Sequence, residues 1–208
     1  MNREEARSLP RPLDVSRETE ARLAQFAELV RKWSPRINLV SRGEIEQLWE
    51  RHIVDSAQLW AHAPRGQRWA DLGSGAGFPG LVIAILAKEV RPSLHVTLVE
   101  SDRRKAAFLA TACRELELGV RIVAERIETA PPQDADIVSA RALAPLDRLL
   151  GYVHRHLAPD GRALLAKGAR WREEVETARQ SWTFEWDAIP SLTDPASVIL
   201  SIGEIARA

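Results

Sequence analysis

From residue 67 onward, the chain alternates short apolar runs with segments of helical length. The runs RWADLG, LHVTLVES, VRIVAERI, ADIVSARAL and RALLAKG have the length and composition of buried strands. Most of them are separated by segments of about ten to fourteen residues with helical periodicity. Strands that alternate with helices of this length form crossover units in a mostly parallel sheet. The sequence therefore predicts an α/β fold.

The two ends of the chain depart from this alternation. WTFEWDAI and SVILSIGEI read as strands without a helix between them, so we expect them to pair antiparallel. Before the sheet, helical spacing predicts an amphipathic helix over 16–34 that ends at Pro35, and a second helix near 43–62. We therefore predict one domain over 1–208, in which a helical extension (1–64) caps a Rossmann-like core (65–208) of seven strands, the last antiparallel.

Composition narrows the class of protein. With 45% hydrophobic and 28% charged residues, the chain is typical of a globular protein, and no apolar run is long enough to span a bilayer. The single cysteine, Cys113, excludes an internal disulfide and a cysteine-based zinc site. The opening stretch MNREEARSLPRPLD does not resemble a signal peptide. We expect a cytoplasmic protein and, by default, a monomer.

The net charge of zero hides an uneven distribution. Residues 141–172 contain seven Arg or Lys against two Asp, whereas residues 173–208 contain seven acids against two Arg. Such asymmetry can create a local basic face on a neutral protein, but it can equally be a solvated helix face. Charge alone leaves both interpretations open.

The stretch WADLGSGAGFPG concentrates glycines where the first strand ends. Gly73, Gly75 and Gly77 fall in the loop beyond the carboxyl end of that strand, which is where open parallel sheets bind ligands. Glycine permits unusual backbone angles and removes the Cβ that would hold a ligand away. The loop therefore predicts a nucleotide-like cofactor.

Two cofactors compete for this loop. Gly75 to Gly80 matches the G-x-G-x-x-G dinucleotide pattern, but that register leaves extra loop before it, and Pro79 removes an N–H from the turn that would cradle a pyrophosphate. The alternative register, acid-x-Gly-x-Gly-x-Gly beginning at Asp71, is the pattern of Rossmann-like class I S-adenosylmethionine-dependent methyltransferases. We favour the second interpretation, because S-adenosylmethionine has no phosphate.

The next two strands carry further candidates for the cofactor site. Glu100 ends the second strand, where an acid accepts hydrogen bonds from ribose hydroxyls. After the third strand, Ile127 is placed to cover an adenine ring and Glu128, or the adjacent backbone, to meet its edge. Both cofactor classes would use Glu100.

The loop after the fourth strand limits the methyl acceptor. Enzymes that methylate exocyclic amines of bases usually carry an Asp/Asn-Pro-Pro-aromatic tetrad there, but this chain has SARAL, with Arg141 and no Cys or Tyr nucleophile. An acceptor that exposes a lone pair needs alignment rather than a general base, and alignment supplies about 7–11 kcal/mol.

Six blocks, in order and spacing, resemble the RsmG (GidB) family of bacterial 16S rRNA guanine-N7 methyltransferases. They are WSPRINLVS, RHIVDS, DLGSGAGFPG, LVESDRRKAAFL, VSARAL and LLAKG, which together span residues 33–168. The resemblance implies S-adenosylmethionine-dependent methylation of N7 of guanine 527, in the customary RNA numbering, of 16S rRNA. The implied partner is the 30S subunit or an assembly intermediate. Family cofactor contacts fall on Gly73, Phe78, Ile127, Glu128 and Arg141.

Other residues remain open. We expect four basic residues on or after the predicted helix LDRLLGYVHRHL to bind phosphates: Arg148, Arg155, Arg162 and Lys167. His52 and Asp55 lie three apart, which fits either a metal or catalytic pair or, as we favour, a structural pair. The alternative functions are methylation of a small molecule or protein, or RNA binding with a vestigial cofactor site. We expect no metal and no general base.

Overall fold

A seven-stranded sheet lies at the centre of the molecule. The computed structural model describes residues 15–208; the opening stretch on which the signal-peptide prediction rests lies outside them. The strand order is β3-β2-β1-β4-β5-β7-β6, and β7 runs antiparallel to both of its neighbours while the other pairs are parallel. The strands are β1 (Arg68–Leu72), β2 (His95–Val99), β3 (Arg121–Val123), β4 (Ala135–Arg141), β5 (Leu157–Lys167), β6 (Trp182–Pro190) and β7 (Val198–Arg207). The predicted fold class, with its antiparallel last strand, is confirmed.

Helices cover both faces of the sheet. The helices are α1 (Arg17–Ile37), α2 (Arg42–Ile45), α3 (Asp55–Ala61), α4 (Gly80–Val90), α5 (Arg103–Glu115), α6 (Leu146–His156) and α7 (Trp171–Ala178). Residues of α1, α3, α4 and α5 share one buried cluster, and residues of α6 and α7 share another. None of the helices among residues 15–208 is both long and apolar enough to cross a membrane. The division into a helical extension and a core stays a prediction.

The strands separate these two clusters by simple alternation. Successive side chains of a strand point to opposite faces of the sheet. In β1, Trp69 belongs to the cluster of α1, α3, α4 and α5, whereas Ala70 and Leu72 belong to the cluster of α6 and α7. The near-continuous apolar runs recognised in the sequence are therefore strands that are buried on both faces.

The first helix is longer than predicted. We expected Pro35 to end it, but α1 continues to Ile37. Proline removes one hydrogen bond, and here it stands in the last turn, where the helix is about to end anyway. The helix closes at Asn38, which adopts a left-handed φ of 52° and donates its N–H to the Ser34 carbonyl at 2.9 Å.

The second predicted helix is interrupted rather than continuous. After the single turn of α2, the chain forms a π-helix over Trp49–Val54 before α3 begins at Asp55. Hydrogen bonds of the i→i+5 type widen a helical turn, so the residues that follow are rotated relative to a regular helix. Hydrophobic spacing does not reveal such a local change, which alters the direction of His52 and Asp55.

Candidate active site

The loop after β1 lies where the strand order reverses. β2 and β3 lie on one side of β1 and the remaining strands on the other, and open sheets bind ligands in the crevice at this point. The N–H groups of Gly73 and Ser74 both donate to the carbonyl of Val99, at 2.9 and 3.1 Å. The N–H of Gly77 donates to the Ser74 carbonyl at 2.7 Å. The loop is therefore bound to the end of β2 and folded back on itself.

The three glycines of this loop all have left-handed backbones. Their φ values are +67° at Gly73, +54° at Gly75 and +92° at Gly77. An added Cβ would lie 2.6 Å from a side-chain methyl of Leu143 at the first position and of Leu81 at the third. At Gly75 the nearest described atom is the Gly73 carbonyl oxygen, at 3.8 Å. The backbone of Gly75 is thus bare towards open space, and a ligand can approach it closely.

Glu100 lies directly against this bare backbone. Its side chain is buried, with one carboxylate oxygen accepting from the N–H of Gly75 at 2.8 Å and the other from the N–H of Asp102 at 2.7 Å. A carboxylate offers about four lone pairs, so these two bonds leave acceptor capacity for ligand hydroxyl groups. The structure thereby joins two predicted cofactor residues that are 25 positions apart.

Asp71 has a structural role at the base of the loop. It is fully buried, and its carboxylate accepts from the Ser139 hydroxyl at 2.7 Å and from the Gly80 N–H at 3.2 Å. Ser139 in turn accepts from the indole N–H of Trp69 at 2.9 Å. Burial raises the pKa of Asp71 to about 6. The acid of the Asp-x-Gly pattern therefore ties β1 to β4 and to the start of α4.

The turn after β3 presents the other predicted pair. Ile127 is buried, and its carbonyl lies 2.9 Å from Nε2 of His156. Glu128 is exposed and accepts from the Tyr152 hydroxyl at 2.8 Å. The N–H of Glu100, at the end of β2, donates to the carbonyl of Val123, the last residue of β3. The turn after β3 therefore lies on the same side of the sheet as the glycine loop, which is also bonded to the end of β2.

Phe78 connects the glycine loop to the helical extension. Its buried ring lies 5.1 Å from the ring centroid of Phe26 and 5.0 Å from that of His52. The guanidinium carbon of Arg141 lies 5.5 Å from the Phe78 centroid, within range of a cation–π interaction. The end of the loop therefore touches both α1 and the end of β4.

Arg141 is held by three groups of one short segment. Its Nη1 donates to the Arg51 carbonyl at 2.8 Å and to the Asp55 carboxylate at 3.0 Å, and its Nη2 contacts Nδ1 of His52. His52 and Asp55 are thus brought together by Arg141 rather than by each other. In the structural interpretation that we favour for this pair, Arg141 is the residue that both side chains contact, which the sequence does not reveal.

His52 is neutral in this arrangement. Because Arg141 is a donor, Nδ1 of His52 accepts and the proton resides on Nε2. Burial, followed by the positive charge of Arg141, lowers the pKa of His52 to about 4. Among residues 15–208, no group of three or more His, Cys, Asp or Glu side chains is arranged to hold a metal ion.

A cavity of about 960 Å³ adjoins Arg141. It is lined by the loop after β4, by the π-helix and α3, by the end of β5 and α7, and by the segment 191–197 that joins β6 to β7. Seven carboxylates line it against four cationic side chains, so its walls carry a net negative charge. The cavity therefore suits a neutral or cationic group better than a phosphate.

Comparison with known proteins decides the family. The family model GidB, rRNA small subunit methyltransferase G, matches residues 19–196. The chain belongs to this family. The ribosomal RNA small subunit methyltransferase G of Ruegeria sp. (strain TM1040) is 53% identical over 195 residues, which cover 94% of this chain and 95% of the relative. That of Paracoccus denitrificans (strain Pd 1222) is 48% identical and covers 94% and 100%. The family predicted from the six sequence blocks is confirmed.

Solved structures of proteins with low sequence identity share the fold of this family member. A TehB-like SAM-dependent methyltransferase from Corynebacterium glutamicum superposes with a TM-score of 0.57 at 20% identity, covering 86% of this chain and 98% of that one. A variant of MtNAS in complex with S-adenosylmethionine gives a TM-score of 0.57 at 18% identity, with 88% and 72% covered. The methyltransferase fold class is confirmed.

Of the predicted cofactor residues, the structure joins Gly75 to Glu100 and Phe78 to Arg141, whereas it does not bring the predicted phosphate-binding residues together. Arg162 and Lys167 lie five positions apart on β5, about 17 Å at strand spacing. Arg148 contacts Tyr152 and Glu128, whereas Arg155 donates to the Ala130 carbonyl. Arg162 donates to Ser201, and Lys167 donates to Glu174 and to the Ala144 carbonyl. Their role in RNA binding stays a prediction.

Sequence reasoning missed several residues that shape the site. His156 supports the carbonyl of Ile127, and Leu143 packs against Gly73. Thr193 reaches Asp55 from the β6–β7 loop, 138 positions away. Leu143 ends the block VSARAL, but His156 and Thr193 belong to none of the six blocks, and only the fold brings them to the site.

Proposed function

We propose that this chain transfers the methyl group of S-adenosylmethionine to N7 of guanine 527 in 16S rRNA. Membership of the rRNA small subunit methyltransferase G family establishes the enzyme class, small-subunit rRNA as the substrate class and S-adenosylmethionine as the cofactor. One observation in the structure carries the proposal. The bare backbone of Gly75 is bonded to buried Glu100, and its loop ends at Phe78, whose ring lies 5.5 Å from the guanidinium carbon of the cavity-lining Arg141.

The chemistry of the residues around the glycine loop fits the cofactor. The space above Gly75 would be filled by a Cβ, and Glu100 keeps acceptor capacity for ribose hydroxyls. Buried Ile127 supplies an apolar surface for the adenine. When bound, S-adenosylmethionine supplies an electrophilic methyl group on a sulfonium. The residues that we propose to hold it are Gly73, Gly75, Gly77, Phe78, Glu100, Ile127, Glu128 and Arg141.

The acceptor is proposed to enter the cavity beside Arg141. Guanine N7 carries a lone pair, so the protein needs to align the base and exclude water rather than remove a proton. Methylation at N7 makes the base cationic, and a wall rich in carboxylates favours a cation over a neutral group. The same wall disfavours phosphates, so the RNA backbone would stay outside while the base enters.

The basic residues on α6 and β5, of which Lys167 also lines the cavity, are proposed to bind the RNA backbone. Arg148 is the best placed, because its side chain is 65% exposed. Lys167 is only 7% exposed and is paired with Glu174, so it would have to exchange partners. Arg155 and Arg162 would likewise share donors that now bind protein acceptors. Substitution of any one phosphate-binding side chain should reduce the salt slope of RNA binding by about one unit.

The proposed partner is the 30S subunit, or an assembly intermediate of it, bound by a monomer in the cytoplasm. In an RNA helix the deep, narrow major groove hides N7, so the target must lie in a loop or in an incompletely assembled particle. The experiment supplies labelled S-adenosylmethionine with naked 16S rRNA, 30S subunits from cells that lack this protein, or free guanosine. Subunits from cells that contain it serve as the saturated control.

We expect label at N7 of guanine 527 in one of the RNA-containing reactions, and none in guanosine or in the saturated subunits. Transfer to guanosine or to protein alone would support the small-molecule or protein alternative. Calorimetry without detectable binding of S-adenosylmethionine would leave only an RNA-binding role. The three outcomes are distinct, and the first alone supports the proposal.

A further inference from the structure

The carboxylate of Asp55 serves two separate parts of the molecule. One oxygen, Oδ2, accepts from Nη1 of Arg141 at 3.0 Å. The other, Oδ1, accepts from the amide of Gln58 at 2.8 Å and from the hydroxyl of Thr193 at 2.9 Å. The side chains of Asp55 and Arg141 are 18% and 19% exposed, so this ion pair is shielded from bulk water. A single, largely shielded charge therefore joins the end of β4 to the β6–β7 loop.

The β6–β7 loop, residues 191–197, is anchored at this point. The buried side chain of Gln58 accepts from the Leu192 N–H at 2.9 Å and donates to the Ser191 hydroxyl at 3.1 Å. Ser191 in turn accepts from the N–H of Thr193 at 3.2 Å. The loop consequently meets α3 through two side chains, Asp55 and Gln58, which together bond three of its residues.

The anchored loop forms a wall of the cavity. Ser191, Thr193 and Ser197 line it together with Asp55 and Arg141. Leu192, on the same loop, is 55% exposed and is one of two large apolar side chains that are strongly exposed in the described part of the chain. The loop thus offers hydroxyl groups at the cavity and, at Leu192 between two of the lining residues, an exposed apolar side chain, which are the groups that contact a base and its ribose.

We propose that Asp55 is a positioning residue that holds the β6–β7 loop in place as the acceptor-binding wall while it orients Arg141. This inference rests on the proposed function. It assigns the loop to RNA and Arg141 to the cofactor, with one carboxylate setting the distance between them. Loss of the hydrogen bond from Thr193 to Asp55 should then weaken binding of the RNA alone. Loss of the Asp55 charge should weaken binding of both the RNA and S-adenosylmethionine.

The experiment compares four variants of the full chain in steady-state methyl transfer to 16S rRNA or 30S subunits, whichever the wild type methylates faster. Thr193→Val removes the hydrogen bond from the loop to Asp55, Thr193→Ser keeps the hydroxyl that makes it, and Asp55→Asn removes the negative charge. Thr183→Val is the matched control, because Thr183 lies at the other end of the same hairpin and bonds only weakly, at 3.5 Å, to the Ala206 carbonyl.

We expect Thr193→Val to raise the KM for RNA about 5-fold, with kcat and the Kd for S-adenosylmethionine unchanged. Thr193→Ser should restore the wild-type KM. Asp55→Asn should raise both the KM for RNA and the Kd for S-adenosylmethionine, the latter about 10-fold. A general loss of stability would not raise the KM for RNA while the Kd for S-adenosylmethionine stays unchanged, nor would it be reversed by serine at position 193. These two results therefore identify a positioning role.

The inference is overturned if Thr193→Val matches Thr183→Val in its KM for RNA, or if it weakens cofactor binding as much as Asp55→Asn does. A wild-type protein that methylates neither RNA would instead refute the proposed function and remove the basis of the inference with it. Active wild-type protein with an unaltered Thr193→Val variant refutes the inference alone. Because Thr193 lies in a surface loop, this comparison does not depend on the folding of Asp55→Asn.

Discussion

Substitution of Gly75 by alanine tests whether the cofactor lies against the glycine loop. The φ of +54° places an alanine in the left-handed region, which destabilises an L-residue by about 1–2 kcal/mol. The nearest described atom to the new Cβ lies 3.8 Å away, which is ordinary contact. The variant should therefore fold without displacing its neighbours, with a free energy of unfolding reduced by about 1–2 kcal/mol.

The loss of cofactor affinity should exceed what this change in stability can explain. The new methyl group would occupy the open space that faces the ligand, so we expect the Kd for S-adenosylmethionine to rise at least about 10-fold, or about 1.4 kcal/mol. Urea denaturation measures the stability, and titration calorimetry on the folded variant measures the Kd. Calorimetry at a temperature well below the unfolding transition keeps the two effects apart.

Gly119→Ala is the control for this experiment. Gly119 is exposed, has no neighbour within 4 Å of an added Cβ and does not have a left-handed φ. The substitution should leave cofactor binding unchanged and, through reduced entropy of the unfolded chain, stabilise by up to about 1 kcal/mol. A folded Gly75→Ala variant with the affinity of Gly119→Ala would refute the placement of the cofactor at this loop.

Three further predictions concern buried charged or titratable groups. Glu100→Gln introduces an amide N–H₂ where two backbone N–H groups donate, so it should reduce stability by about 1–3 kcal/mol and weaken cofactor binding in calorimetry; unchanged affinity would contradict a ribose contact. Asp71 has a pKa raised to about 6, so the folded state binds its proton more tightly, and its contribution to stability is present below about pH 4 and lost as the pH rises through 6. The stability of the wild type relative to Asp71→Asn should therefore fall, by up to about 3 kcal/mol, between about pH 4 and 7 in urea denaturation, and a flat difference would contradict this. His52 has a pKa lowered to about 4, so its contribution to stability depends on pH in the opposite direction. The stability of the wild type relative to His52→Gln should fall as the pH falls from about 6.5 to 4 in urea denaturation. A difference that rises on acidification would show that His52 is protonated in the fold.

Local patterns accounted for most of the fold. The strands of the core were recognised because a strand buried on both faces must be apolar throughout, and this requirement is visible in a few consecutive residues. The prediction was wrong at Pro35 and over the second helix, where one proline in a last turn and one π-helix changed the geometry. Both are local adjustments that hydrophobic spacing does not register.

The residues of the proposed cofactor side of the site were also accessible from the sequence. A loop that needs left-handed backbone and close approach must use glycine, so Gly73, Gly75 and Gly77 indicate it directly. Glu100 could be added because parallel strands end at one edge of the sheet. The function of Asp71 could not be assigned, since an acid at a strand end is equally compatible with a ligand contact and with the buried bond to Ser139 that the fold contains.

The sequence alone determined the α/β class, the glycine loop and the family, because each depends on short patterns whose physical demands act on neighbouring residues. Only the tertiary structure decided the arrangement around the proposed acceptor wall, where Asp55 joins Arg141 to Thr193 from three distant segments. Their contacts follow from strand order, since β7 lies between β5 and β6 and the preceding loop is thereby placed next to α3. No local pattern contains that order, because it is set by the packing of the whole sheet.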